Sequence, residues 1–111
     1  YYLFLKTEEI FSIAGVYDEW FDEKAAKRYY TFSMITTTAN PLTAYIPNTR
    51  RRMPAILLKE EENRWLDPAL TEKEAEALLQ PIPAEAMEAY PIRPDFLKKK
   101  SDDPAILEKA S

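Results

Sequence analysis

Between Arg28 and Lys59 the chain carries five basic residues, Arg28, Arg50, Arg51, Arg52 and Lys59, and no acidic one. Arg50, Arg51 and Arg52 are consecutive. Guanidinium groups packed this closely can hold phosphate oxygens through charge-assisted hydrogen bonds, so the chemistry on offer is anion binding rather than proton or group transfer. The formal net charge of −4 would oppose a polyanionic partner if it were evenly spread, but the acidic residues lie outside this segment. Screening limits exposed charges to a reach of about 8–10 Å in physiological salt, so a local basic patch can work inside an acidic protein. The alternative is a solvated arginine cluster with no ligand.

The chain contains no cysteine and no histidine. Thiol nucleophiles, disulfides, Cys/His zinc sites and histidine general bases are thereby excluded within it. Its single glycine, Gly15, excludes glycine-rich phosphate loops. No cofactor and no metal are expected. No apolar run approaches the roughly 20 residues that span a bilayer, and no signal sequence is read at the start, so the expectation is a cytoplasmic protein without a membrane partner. The opening Tyr1-Tyr2-Leu3-Phe4-Leu5, without an initiator methionine, is what a fragment or processed product would show.

The elements that must position the arginines follow from periodicity and turn chemistry. Tyr1–Leu5 and Ile10–Tyr17 read as two strands joined by the polar turn Lys6-Thr7-Glu8-Glu9, the second with apolar residues on both faces, as in a central strand. After a charged loop from Asp22 to Lys27, Arg28–Thr37 reads as a strand in which Tyr30, Phe32 and Met34 should form a buried face. Ala39–Ile46 predicts a short helix with Pro41 in its first turn, closed by Pro47. Pro54–Leu58 returns as a strand, and Glu60–Leu66 predicts an acidic helix that Trp65 anchors on the core. Thr71 and Glu74 match a capping box ahead of an apolar stripe of Ala75, Leu78 and Leu79. A further short helix is expected from Pro83 to Met87, and residues 98–111 read as an exposed tail. The whole is α+β, an antiparallel sheet followed by small helices. So few strands with two apolar faces make an incomplete core, whose open edge and second face need partners.

Taken in order, several stretches resemble one family. Phe11-Ser12-Ile13-Ala14-Gly15-Val16-Tyr17-Asp18-Glu19-Trp20 resembles a strand of the pattern F-aliphatic-A-G-aliphatic-aromatic-x-x-W. Thr31-Phe32-Ser33-Met34-Ile35-Thr36-Thr37-Thr38-Ala39-Asn40 resembles T-F-x-I-I-T-T-x-A-N. Ile46-Pro47-Asn48-Thr49-Arg50-Arg51-Arg52-Met53-Pro54-Ala55-Ile56-Leu57 resembles I-H-N-T-x-x-R-M-P-x-I-L, with Trp65-Leu66 where a W-L pair follows. Tyr90-Pro91-Ile92 and Asp102-Asp103-Pro104 fit the closing segment. These are motifs of the SOS response-associated peptidase (SRAP) family, and the resemblance, with its spacing kept, places residues 1–111 as the C-terminal part of a single SRAP domain.

The resemblance implies a β-rich, barrel-like α+β fold with small peripheral helices and a basic groove for single-stranded DNA. It implies a DNA-damage function in bacteria, nucleoid-associated when DNA is bound. An N-terminal cysteine, exposed by autoproteolytic removal of the initiator methionine, would form a thiazolidine crosslink with the aldehyde of an abasic site. The cysteine, an asparagine and a glutamate of the family's machinery belong to the first half of the domain. Pro47 occupies the family's histidine position and has neither a titratable group nor an N–H. No catalytic residue is therefore expected here, and the chain alone is expected to be inactive. Glu19 belongs to a later E-W pair than the catalytic one. The DNA-binding candidates are Thr36, Arg52, Arg50 and Arg51. Thr36 and Arg52 match family positions near the groove; the structural alternatives are a strand-end threonine and an ion pair within the fold. Arg50 and Arg51 read more readily as solvated, and Trp20 and Trp65 as core residues. The implied partners are single-stranded DNA with abasic sites and the N-terminal half of the domain, on the same or a separate chain. A second reading is a non-catalytic relative that serves only as a DNA-binding or protein-interaction module.

Overall fold

A computed structural model describes residues 1–46 and 50–110. The architecture is α+β: among the described residues, eight short strands pair antiparallel as four two-stranded ribbons, with three small helices and three 3-10 turns around them. In chain order the strands are β1 (Tyr2–Leu5), β2 (Ser12–Ile13), β3 (Gly15–Asp22), β4 (Lys27–Met34), β5 (Thr36–Thr38), β6 (Arg52–Pro54), β7 (Ile56–Leu57) and β8 (Met87–Tyr90). The helices are α1 (Pro41–Tyr45), α2 (Lys59–Trp65) and α3 (Glu72–Leu78).

Three ribbons meet at one point. The strand that begins as β2 continues as β3, β4 continues as β5, and β6 continues as β7, with one residue between the members of each pair: Ala14, Ile35 and Ala55. The backbones of these three residues bond in a ring. Ala14 N donates to Ala55 O at 2.8 Å, Ala55 N to Ile35 O at 2.9 Å, and Ile35 N to Ala14 O at 2.9 Å. Each strand thus changes partner without slipping register: β2 pairs with β7, β3 with β4, and β5 with β6. Ala14 and Ala55 are both 0% exposed, so their small side chains fit the enclosed side of the ring, whereas Ile35 is half-buried and packs its larger side chain against the second core described below. Gly15 avoids a tight approach beside the ring, because a Cβ there would stand 3.0 Å from the backbone oxygen of Ser33.

Two small cores flank the ring. One gathers Leu5, Met53, Ile56, Ile82 and Met87; the other gathers Ala14, Ala55, Leu57 and Leu78, with Trp65 packed against it. As the sequence implies, Trp65 anchors α2: its Nε1 donates to Gly15 O at 3.1 Å. A buried polar group links α1 to the first core. Asn40, 4% exposed, caps α1 by accepting from Thr43 N at 2.9 Å, and its amide donates to Ile82 O at 2.9 Å. The same side chain contacts Met87 Sδ, and its backbone N–H faces Met53 Sδ, both at 3.4 Å. Asn40 before Pro41 is a strong helix-start signal because the side chain caps while proline removes an N–H that would lack a partner.

The structure corrects several expectations. Tyr1–Leu5 does not form a hairpin with the next strand; β1 pairs with β8, so the first and last of these strands share a ribbon. The helix expected from Pro83 is one 3-10 turn, Ala84–Ala86, after which Met87 enters β8. The Ile10–Tyr17 strand is not central and not buried on both faces: β3 is exposed along almost its whole length. Tyr30, Phe32 and Met34, expected to be buried, are exposed as well. The reason is that β3 and β4 leave the ring as a hairpin of two eight-residue strands on which nothing else among the described residues packs as a layer. A radius of gyration of 17.5 Å, against about 13 Å for a compact chain of this length, records the same openness. The segment 98–110 is largely exposed but folds back: Ile92 bridges Lys109, and the Tyr90 hydroxyl donates to Leu107 O at 2.7 Å.

Asn40→Ala should lower the unfolding free energy by about 2–3 kcal/mol in urea melts, since it removes a cap and leaves the buried Ile82 carbonyl without its donor. Gly15→Ala should cost about 1–3 kcal/mol in the same assay, because the contact it creates is with backbone that cannot swing away.

Candidate nucleic-acid interface

The ribbon of β5 and β6 carries the candidate residues. Its register sets Thr36 opposite Pro54, Thr37 opposite Met53, and Thr38 opposite Arg52. Alternation then sorts the side chains: Met53 and half-buried Thr37 turn inward, whereas Thr36, Thr38 and Arg52 stay on the exposed face. Threonines suit such a strand because a β-branched residue tolerates a half-buried pleat, and each brings a hydroxyl to its outer side.

Arg52 lies across the ribbon on the diagonal from Thr36. Its Nη2 donates to Thr36 O at 2.7 Å and to Thr36 Oγ1 at 3.1 Å, and its Nε reaches Thr36 Oγ1 at 3.3 Å. The guanidinium is thus held against the strand rather than waving in solvent, and a lysine could not reproduce this fork. Thr36 Oγ1 accepts from Arg52, yet a hydroxyl keeps one proton to donate, so the pair can present both a positive charge and an O–H donor to an oxygen-rich ligand.

The approach to β6 completes the cluster. Arg50 and Arg51 are exposed, and Arg51 adopts φ 49°, the left-handed region, as the chain turns into the strand. Its carbonyl accepts from Ala39 N at 3.0 Å, which closes the end of the ribbon. Arg50, Arg51 and Arg52 therefore lie at the end of the ribbon away from the ring, and the Arg52 side chain reaches back to Thr36 at the ring end. The other basic residues of the segment do not join them. Arg28 sits toward the tip of the β3–β4 hairpin, roughly 20 Å along the strand from Met34, and its Nε meets Glu19 Oε1 at 2.6 Å. Lys59 opens α2 beside Glu60, Glu61 and Glu62. Pro47, at the position the resemblance assigns to a histidine, lies outside the described residues.

Sequence reasoning missed two features of this region. Asn40 fixes α1 where the chain leaves β5; the Asn-Pro pair was its signal. The second feature is the exposed apolar face of β3 and β4, which alternation had located but had turned the wrong way. Trp20 is likewise not core: it is 57% exposed and stacks on Tyr29 with ring centroids 5.5 Å apart. A hollow of about 530 Å³ opens elsewhere, against β1 and β8, lined by Tyr2, Phe4, Lys6, Glu8 and Tyr90, and it contains none of the candidate residues.

Comparison with known proteins places this arrangement. The sequence model of the SOS response associated peptidase (SRAP) family matches residues 1–98. This chain belongs to the SRAP family. Among curated relatives, it is 36% identical over 105 residues to the abasic site processing protein YoqW of Bacillus subtilis, covering 94% of this chain and 45% of that protein. It is 32% identical over 100 residues to the abasic site processing protein HMCES of Gallus gallus, covering 88% of this chain and 28% of that one. A crystal structure of a protein from Bacteroides thetaiotaomicron superposes with a TM-score of 0.93 at 52% identity, over 99% of this chain and 47% of the other. The SRAP chain described here thus spans less than half the length of each.

The Thr36–Arg52 contact predicts a measurable coupling. A double-mutant cycle of Thr36→Ala and Arg52→Ala should return a coupling below about 1 kcal/mol in urea melts, because the side-chain bonds are exposed and the bond to Thr36 O survives the first substitution.

Proposed function

We propose that this chain is the C-terminal part of a SRAP domain that binds single-stranded DNA at abasic sites, with Thr36, Arg50, Arg51 and Arg52 as its contribution to the phosphate and sugar contacts. The observation that carries this reading is the arginine fixed on a threonine at the end of an exposed ribbon, next to two further arginines, in a chain 36% identical to an abasic site processing protein. Fixed guanidinium groups neutralise phosphates and set the register of the strand, while a hydroxyl donor suits a phosphate or a sugar oxygen.

In the complete domain the reaction would be performed by an N-terminal cysteine. Its amine condenses with the aldehyde of the ring-opened abasic sugar to give an imine and one water. The sulfur then adds to the imine carbon while the thiol proton passes to nitrogen, which closes a five-membered thiazolidine ring. Aldehyde and cysteine thus become thiazolidine and water, with no oxidant or other leaving group. Phosphate contacts from this chain would hold the aldehyde within reach of the amine, and such positioning can supply several kcal/mol of the barrier. With no cysteine and with Pro47 where the resemblance expects a histidine, the residues present here bind and orient rather than react.

Incubation with single-stranded DNA bearing an abasic site should give no denaturation-resistant adduct with the 111-residue chain, and an adduct with a complete domain that carries this sequence behind an N-terminal cysteine. An adduct from the chain alone would overturn the assignment of the chemistry. In the complete domain, Arg52→Ala should weaken DNA binding and flatten the slope of log affinity against log salt by about 1, with little dependence on DNA sequence. Salt-dependent binding without any adduct from that complete domain would instead favour the second reading, a non-catalytic binding module, which Pro47 motivates.

A further inference from the structure

The β3–β4 hairpin presents two unlike faces. On one, Trp20 stacks on Tyr29, and Lys27 Nζ lies 5.3 Å from the Tyr29 ring centroid, so the aromatics cover one another. On the other, the pairs Tyr17–Phe32, Glu19–Tyr30 and Gly15–Met34 set Tyr17, Tyr30, Phe32 and Met34 side by side. Tyr17 is 79% exposed and Phe32 85% exposed, against 57% for Trp20 and 37% for Tyr29 on the stacked face. An uncovered aromatic of this size shows roughly 150–250 Å², and contiguous apolar patches beyond a few hundred Å² mark interaction surfaces.

This face does not end with the hairpin. Ile35 keeps both registers, donating to Ala14 O as β4 does to β3 and accepting from Ala55 N as β5 does from β6. With no residue inserted, alternation carries the side of Phe32 and Met34 on to Thr36 and Thr38, and the pairing adds Arg52. One exposed strip therefore runs from Tyr30 through Phe32 and Met34 to Thr36 and Arg52, apolar at one end and cationic at the other.

We infer that the apolar end of this strip is the docking face for the remainder of the SRAP domain, and that Thr36 and Arg52 stand at the seam where the two parts meet. The occupant follows from length. The Bacteroides thetaiotaomicron protein superposes on 99% of this chain with only 47% of its own, so more than half of that polypeptide lies outside the match. A partner of that size is what two-stranded ribbons and a 17.5 Å radius of gyration call for. The inference rests on the SRAP reading but not on the DNA chemistry, and it gives that reading a location: the DNA contacts of this chain are completed by residues from across the seam.

Hydroxyl-radical footprinting tests the face without DNA. The 111-residue chain is oxidised alone and together with the part of the Bacteroides thetaiotaomicron protein outside the match. Tyr17, Tyr30, Phe32 and Met34 should lose at least threefold in oxidation rate on mixing, while Leu97, 82% exposed and distant in sequence, keeps its rate. Unchanged rates would overturn the inference, as would protection of the same residues in the chain alone at raised concentration, which means a second copy, or only on adding oligothymidylate, which means nucleic acid. If the chain accumulates only when co-expressed with that part, co-purification reads the same face. Phe32→Lys should then abolish it and Leu97→Lys should not; retention by Phe32→Lys sinks the inference. Loss of adduct formation with protection intact would count against the proposed DNA chemistry alone.

Discussion

Three peptide groups bonded head to tail, at Ala14, Ile35 and Ala55, hold the rest of this fold in place. A strand pair ordinarily ends where its hydrogen bonds end. Here each strand leaves one partner and takes another at a single residue, so the orphaned donor of one pair becomes the first donor of the next. The ring is cyclic, and removing any one strand breaks two of its three bonds. The hairpin, the basic ribbon and the short pair that lies over α2 and α3 are therefore fixed relative to one another by backbone rather than by a large core. That suits a chain whose buried clusters are small. It also suits Ala14, Gly15 and Ala55, whose small or absent side chains leave the enclosed main chain room, while Ile35, the third ring member, packs its side chain against the second core.

Asn40 supplies the second fixed point. An amide buried among Ile82, Met53 and Met87 needs its hydrogen bonds, because a polar group without a partner in that setting is more costly than an apolar one. By capping α1 while bonding the Ile82 carbonyl, it ties the chain leaving β5 to the segment that precedes β8. Next to this tied point, Ala39 N bonds the Arg51 carbonyl where the chain enters β6. The placement of the arginines at the end of the β5–β6 ribbon is thus a consequence of a buried cap and a backbone ring, neither of which touches a ligand.

Local chemistry in the sequence revealed the pieces whose causes are local. Pro41, the Thr71 cap and the acidic start of α2 located the helices, since capping acts within a few residues, and the Thr71 hydroxyl does accept from Glu74 N at 3.2 Å. The candidate pair Thr36 and Arg52 was legible through motif resemblance, yet their direct contact was not, because it depends on the register of strands 16 residues apart. Pairing of β1 with β8 was hidden for the same reason: nothing near Tyr2 signals Tyr90. The burial of Tyr30, Phe32 and Met34 was misjudged because alternation tells which side chains share a face and not whether this polypeptide covers it. The arginine run was read as one basic segment with Arg28 and Lys59, but folding separates charges that lie close in sequence.

The chain has two tryptophans, and they occupy opposite circumstances. The indole of Trp65 is packed against the core and bonded to the Gly15 carbonyl at the root of the hairpin, while that of Trp20 is solvated farther along it. Their emission should differ in colour and in access to quenchers, one ring reporting on the root and the other on the arm. The molecule thereby carries two native optical gauges, able to tell detachment of the arm from collapse of the body without any added dye.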